Sequence, residues 1–411
     1  MKRLALLLAA VLLTGCAAPA SVPASSNIPE QTAETSSLLY WTPYTSIPNE
    51  SGYFSVFHSA DDTPLLSRYD FTDMTRHIVC DVPGCTHADS TCPAYLDDYT
   101  IVCVPDAVYT FLQQLDEYGT PSGLSTMMRR DPDGTDPQPV GTLSSYWFFF
   151  GADETYLYGF CDNALGRVRR ADGQEQFLAQ AEQSRYMASG HILGVWNGQL
   201  VTVYWGDSSR SLQVNLLSRE GVETPVAVLE SAISPTGWME YHGAVLAGSA
   251  VCTATPDGTV TEYDLSTGET RVRTTGLCAA VQQGNPPVEL TSVADGYLLV
   301  TVWTEHQGEQ WFLISPDGDC QPFSLPVEER DFADALGATD VSMPQIVQPV
   351  CETSRGLLVQ HARQYFFKES HASDGTPVTF ETFATCYALM DPEDYLASRP
   401  VYREFTEISQ Q

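Results

Sequence analysis

The sequence predicts an all-β chain folded as a β-propeller, with seven blades the central count and six or eight the neighbouring ones. Three observations lead there. A short run of strand formers recurs: GYFSVF from Gly52, AVYTFL from Ala107, TYLYGF from Thr155, QLVTVYW from Gln199, AVLAGS from Ala244, GYLLVTVW from Gly296 and GLLVQHA from Gly356, with starts 44 to 60 residues apart. Acidic-Gly turns fall between copies, in RDPDGTD from Arg130, RADGQ from Arg170, SREGV from Ser218, TPDGTV from Thr255 and SPDGDC from Ser315. Asp and Gly tolerate the positive φ of a tight hairpin, so each turn predicts a strand pair. Finally, YWFFF from Tyr146 sets Tyr146, Phe148 and Phe150 on one face and Trp147 and Phe149 on the other. A strand apolar on both sides needs cover on both sides, which a blade stacked between two neighbours provides. Two β-sandwiches in series or an irregular β-solenoid are the competing architectures.

The N-terminus sets the compartment. MKRLALLLAAVLLTGC opens with Lys2 and Arg3, continues in an apolar run from Leu4 to Leu13, and ends in Leu-Thr-Gly-Cys. A run of about ten residues is too short to span a bilayer core, which takes about 20, and has the layout of an export signal. The Leu13-Thr14-Gly15-Cys16 ending resembles a bacterial lipoprotein lipobox. The resemblance implies cleavage after residue 15 and a covalent diacylglycerol lipid, with palmitate-type acyl chains, on Cys16. Residues 1–15 are then the signal peptide, and 16–38, rich in Ala, Ser, Pro and Thr, are the lipidated cysteine and a flexible tether. Residues 39–411 remain for a single propeller domain. The expected location is the extracytoplasmic face of the cell membrane, reached through the lipid anchor.

Charge narrows the partners. With 20 Lys and Arg against 52 Asp and Glu, the net charge is −32. Such a surface repels phosphate backbones and anionic headgroups, so no nucleic-acid partner is expected. Hydrophobic residues make up 43% of the chain, enough for a sizeable core. Helices are expected only as short connections: DPEDYLAS from Asp391, with an Asp N-cap and Pro at the first helical position, and LPVEERDFADALG, closed by Gly337. The repeat pattern, DPDGTDPQPVGTL from Asp131 above all, is similar to that of bacterial TolB-like propellers and related extracytoplasmic propeller lipoproteins. That resemblance speaks for fold and location; function does not follow from fold.

One stretch carries chemistry. CDVPGCTHADSTC places Cys80, Cys85, His87 and Cys92 in the spacing C-x4-C-x-H-x4-C. Outside the cytoplasm thiols oxidise, and ten of the eleven cysteines remain once Cys16 is set aside, so a disulfide among Cys80, Cys85 and Cys92 is expected, with Cys103 the next partner. The alternative is a zinc set of Cys80, Cys85, His87 and Cys92, with Pro83-Gly84 supplying the turn. The stretch also resembles a segment, roughly C-x2-P-x-C-x-H-x4-C-x-A, of lipoproteins from clostridia-like bacteria, matched here by Cys80, Pro83, Cys85, His87, Cys92 and Ala94. Cys161, Cys252, Cys278, Cys320, Cys351 and Cys386 are expected as small core residues.

No nucleophile elbow, H-E-x-x-H, phosphate loop or dinucleotide fingerprint occurs, so no catalytic residue is assigned and no dissolved cofactor is expected. Asp131, Asp133 and Asp136 lack the distant Glu of a calcium loop and read as a turn. Trp41, Tyr44 and Trp238 are candidates for stacking on a sugar. The expected function is a monomeric binding or interaction module for a protein or glycan. The alternatives are a carbohydrate-active enzyme, a glycosidase or lyase with carboxylates at the propeller mouth, and a structural envelope-assembly factor.

Overall fold

The computed structural model describes residues 39–40 and most of 49–407; outside it lie 1–38, 41–48, 408–411 and internal segments, the longest being 180–189, 231–243, 278–287 and 332–344. The signal peptide, Cys16, the tether, Trp41, Tyr44, Trp238 and Cys278 therefore lie outside the described residues.

The described strands form seven sheets, one per blade. A two-residue strand, β1 (Leu39–Tyr40), joins the third blade. Blade 1 contains β2 (Gly52–His58), β3 (Pro64–Asp70) and β4 (Thr75–Ile78). Blade 2 is β5 (Ile101–Val104), β6 (Ala107–Leu115), β7 (Pro121–Arg130) and β8 (Gln138–Leu143). Blade 3 is β9 (Trp147–Ala152), β10 (Tyr156–Cys161), β11 (Ala164–Arg169) and β12 (Glu175–Ala179). Blade 4 is β13 (Gly190–Trp196), β14 (Gln199–Trp205), β15 (Ser211–Leu217) and β16 (Glu223–Glu230). Blade 5 is β17 (Ala244–Ala247), β18 (Ala250–Ala254), β19 (Val260–Asp264) and β20 (Thr270–Thr274). Blade 6 is β21 (Val288–Ser292), β22 (Leu298–Thr304), β23 (Gly308–Ile314) and β24 (Cys320–Pro322). Blade 7 holds β25 (Glu328–Arg330), β26 (Gln348–Thr353), β27 (Gly356–His371), β28 (Pro377–Met390) and β29 (Tyr402–Glu404).

The chain's end closes the ring. β30 (Thr406–Glu407) runs parallel to β4 and gives blade 1 its fourth strand. Just before it, Phe405 packs edge-on against Tyr69 of blade 1 at 5.1 Å.

Period-two alternation makes the blades stack. Successive side chains of a strand point to opposite faces, so one strand feeds two cores. Leu298 and Val300 face blade 5, while Leu299 faces blade 7. Tyr109 and Phe111 join blade 3, and Val108 joins blade 1. The same holds all round: the seven apolar clusters correspond to the seven blade-to-blade interfaces. Buried arginines add polar staples that the sequence did not disclose. Arg170 donates to Tyr109 Oη and Asp106 of blade 2, and Arg273 of blade 5 to Ser315 O of blade 6.

The seven recurring runs fall one in each blade, but not all at one position. They form the second strand of blades 2, 3, 4, 6 and 7 and the first strand of blades 1 and 5. The acidic-Gly turns join the third and fourth strands in blades 2, 3, 4 and 6, and the second and third in blade 5. Each of these turns holds a glycine at positive φ, Gly134, Gly173, Gly221, Gly258 and Gly318 (72° to 94°), and Asp136 joins Gly134 there at +50°. At Gly134 the turn closes through its amide to Asp131 O (2.8 Å), and Asp131 N–H then reaches Thr135 O (2.9 Å). That is a four-residue turn whose last residue is a left-handed glycine, not a two-residue hairpin.

Other sequence expectations are corrected. Glu328–Arg330, expected within a helix, pair in parallel with β27 because their neighbours complete a blade edge; the rest of that stretch, from 332, lies outside the described residues. Helix α1 (Pro392–Leu396) forms as expected, with Asp391 accepting from the Glu393 amide at 3.0 Å. YWFFF is not covered on both faces: Trp147, Phe149 and Phe150 are buried, but Tyr146 and Phe148 are exposed and pair edge-to-face at 5.0 Å. Alternation holds through these residues, Trp147 and Phe149 packing toward blade 2 and Phe150 toward blade 4; the register shift between β9 and β10 breaks it only beyond Phe150, so that Ala152 shares the Phe149 side.

Candidate metal centre

The Cys/His loop occupies the place where other blades turn. β4 ends at Ile78, and Val79 still donates to Leu66 O of β3 at 2.9 Å. The chain then leaves the sheet. Cys85 N–H closes a turn on Val82 O at 3.1 Å, with Pro83 inside it and Gly84 at φ +75°. His87 follows at φ +53°, a conformation uncommon for a residue with a Cβ. Asp89 then caps the return by accepting from the amide (2.9 Å) and hydroxyl (2.6 Å) of Thr91. Cys92 N–H bonds Asp89 O at 3.1 Å, and the chain rejoins β3 through Leu66 N–H to Ala94 O (2.7 Å) and Leu96 N–H to Pro64 O (3.0 Å). Thr63 Oγ1 holds the loop from below by donating to Ala88 O at 3.0 Å.

This path brings all the ligating atoms together. Cys80, Cys85, His87 and Cys92 each place one ligand atom within 4.8 Å of the others, and His87 Nδ1 lies 3.2 Å from Cys92 Sγ. Each sulfur also receives a backbone amide two residues on: Val82 to Cys80, His87 to Cys85, Ala94 to Cys92. Burial raises the Cys80 thiol and pushes Cys92 up to about 12, whereas the His87 amide lowers Cys85. Cys92 sits 4% exposed in the core between blades 1 and 2. From 81 to 91, every residue is exposed except Cys85 and His87.

The other sequence candidates are dispersed. The nine described cysteines, among them Cys80, Cys85, Cys92 and Cys103, are free thiols in the structure. Cys103 is buried in β5, in the same inter-blade core but outside the four-atom cluster. Cys161 and Cys252 are core residues as expected. Cys351 and Cys386 are half-buried, and Cys320 is exposed on β24, whose residues are all open to solvent at the blade's edge. Asp131, Asp133 and Asp136 belong to a turn, Asp133 accepting from the amide and hydroxyl of Thr135.

A second cluster escaped the sequence reading. Glu328, His361 and Glu404 also converge within 4.8 Å, but Arg330 donates to both carboxylates at 2.8 Å. The carboxylates thus already hold a cation. Burial first keeps His361 below its usual range; it is 1% exposed, with the Tyr402 ring 4.8 Å away. The signal missing from the sequence was Arg330 itself, brought to Glu404 only by the chain's return across blade 7.

The fold and this loop define a seven-bladed β-propeller carrying a three-cysteine, one-histidine loop on its first blade. No family model matches the chain, and no curated protein matches it. Among solved structures it is similar to an oligogalacturonate lyase in complex with manganese, at 14% identity over 84% of this chain and 90% of that one, with a TM-score of 0.47. It is also similar to an oligogalacturonate lyase from Vibrio parahaemolyticus (11% identity, 85% and 91% covered, TM-score 0.43) and to BamB from Moraxella catarrhalis (12%, 84% and 96%, 0.33). The likeness extends no further than fold.

Proposed function

We propose that the chain is a lipid-anchored, extracytoplasmic propeller that binds a protein or glycan. The Leu13-Thr14-Gly15-Cys16 sequence supports the anchor. The observation that carries the binding role is the ribbon at the end of blade 7. β27 and β28 stay paired from Leu357↔Met390 out to His371↔Pro377, whereas β25 accompanies β27 only as far as Gln364 and β29 pairs β28 only from Ala388 on. Beyond those points the ribbon has no further strand among the described residues, and it exposes Phe366, Phe367 and Val378. Two strands alone are marginal in water, and apolar side chains held out on them suit contact with a partner.

A photo-crosslinking residue at position 367, set against one at the equally exposed Val272 of blade 5, tests this reading on intact cells. A discrete adduct from 367 and none from 272 is the expected result; equal labelling from both removes the ribbon as the binding element. Cys16→Ser should move the protein from the membrane fraction to the medium and abolish palmitate labelling.

The carbohydrate-enzyme reading rests on Glu309, whose carboxyl is raised first by burial and then by Glu289. Turnover of an acidic oligosaccharide that Glu309→Gln abolishes would favour it over binding alone.

A further inference from the structure

We propose that Cys80, Cys85, His87 and Cys92 hold one zinc ion through three thiolate sulfurs and His87 Nδ1, a structural site that fastens the loop between β4 and β5. Separation is the first argument. Zinc–sulfur bonds of about 2.3 Å and zinc–nitrogen bonds of about 2.0 Å set tetrahedron edges of roughly 3.5 to 3.8 Å. The four atoms already lie within 4.8 Å of one another, with one edge at 3.2 Å, so small adjustments reach the coordinated geometry.

Parity is the second argument. A disulfide consumes two sulfurs and leaves the third, together with the imidazole, pressed into the same space without a bond. Four-fold coordination uses all four groups. The amides of Val82, His87 and Ala94 point the same way, because each is directed at a sulfur. A thiolate bound to a metal is a good acceptor for such a donor, and a disulfide sulfur is a poor one.

The surroundings supply the third. Arg130 is 2% exposed and donates to two neutral acceptors, Thr110 Oγ1 (3.1 Å) and Gly134 O (3.3 Å). Among the described residues no carboxylate forms an ion pair with it, and burial lowers its pKa, a shift that negative charge at Cys92 opposes. A buried guanidinium needs a compensating negative charge. Three thiolates on a divalent zinc carry a single net negative charge and provide it beside the site.

Finally, the loop has little else to hold it. Of residues 81–91 only Cys85 and His87 are partly buried, so the only side chains it turns inward are ligands. Ion binding can supply the ordering free energy that apolar burial does not. All four positions are taken by protein, which leaves none for substrate. Binding releases the thiol protons to solvent as the zinc–sulfur bonds form, and no electron moves. The inference stands apart from the binding role proposed above.

Metal analysis of the full-length chain in detergent tests it. The expected result is one zinc per chain, retained in Cys16→Ser and in the exposed control Cys320→Ser, and reduced at least tenfold in Cys85→Ser and in His87→Ala. Because those variants could misfold, the wild-type chain is also alkylated without reductant. Cys80, Cys85 and Cys92 should resist alkylation until a strong chelator removes the zinc and leaves the thiolates free. Exchange with cobalt(II) should give the sulfur-to-metal charge-transfer band of a tetrahedral thiolate site. A chain without zinc in which a peptide links two of the three cysteines overturns the proposal, as does zinc that survives in Cys85→Ser or a six-coordinate cobalt spectrum.

Discussion

Blades 2, 3, 4 and 6 close their outer strand pairs with an acidic-Gly turn; blade 1 makes a detour through residues 81–93 at the same point and borrows its fourth strand from the C-terminus. The two solutions rest on different physics. In the short turns the backbone closes itself, as in Gly318, where φ is +94° and the amide bonds Ser315 O at 2.9 Å. The detour has no such economy: its turns hold Gly84 and His87 at positive φ, and its inward-facing side chains are sulfur and imidazole. A short turn is fixed by the conformations its residues allow, whereas the long polar loop adds to its scattered backbone bonds the meeting of four side chains.

The largest expected effect is Gly318→Ala. Its Cβ would overlap the carbonyl of Arg273, and its φ disfavours any side chain, so a loss of about 3 to 5 kcal/mol in urea unfolding is expected. A loss below about 1 kcal/mol would show that the turn yields and that the contrast with the loop is false.

Cys92→Ser comes next, at about 2 to 4 kcal/mol, because it removes a buried sulfur from the blade 1–2 core and, on the zinc proposal, one ligand of the loop. Hydrogen exchange should accelerate across 80–96 before the other blades. Uniform acceleration round the ring would mean that the loop is not a separate unit.

Gly84→Ala sharpens the comparison. Its φ is +75°, yet nothing lies within 4 Å of an added Cβ, so only the conformational cost of about 1 kcal/mol remains. A loss as large as that of Gly318→Ala would show that the loop, too, is held by its backbone.

Acid should produce the smallest separation. Burial pushes the carboxyls of Asp133 and Asp264 upward, but hydrogen bonds from Thr135 and from Ser266 outweigh it and hold both below the usual range. A depressed folded-state pKa means stability that is complete above the unfolded value of about 3.9 and lost as pH falls through the folded one. The urea midpoint should therefore drop below about pH 4, and the double variant Asp133→Asn, Asp264→Asn should flatten that drop. An unchanged slope in the double variant would take these carboxylates out of the account.

Much of this architecture was legible because it is local. Gly134, Gly173, Gly221, Gly258 and Gly318 mark turns through a conformation that belongs to glycine itself. The recurring aromatic runs mark blades because alternation along a strand is a property of the strand. Legibility failed where neighbours decide. Phe148 is exposed although Phe150 on the same strand face is packed against blade 4, and Glu328–Arg330 became a strand because β27 offered an edge. For the Cys/His stretch, the residues were visible, but compartment and parity favoured a disulfide and left the zinc set as the alternative.

By itself, then, the sequence determined the repeat period, the turn chemistry, the acidic surface and a residue set able to ligate. Tertiary structure alone decided that Thr406–Glu407 complete the first blade, that Arg130 lies buried, and that the Cys80, Cys85, His87 and Cys92 ligand atoms converge on one place. Periodicity is written in φ, ψ and side-chain alternation, which neighbouring residues specify. Convergence depends on the path of a loop across a packed interface, which no short stretch encodes.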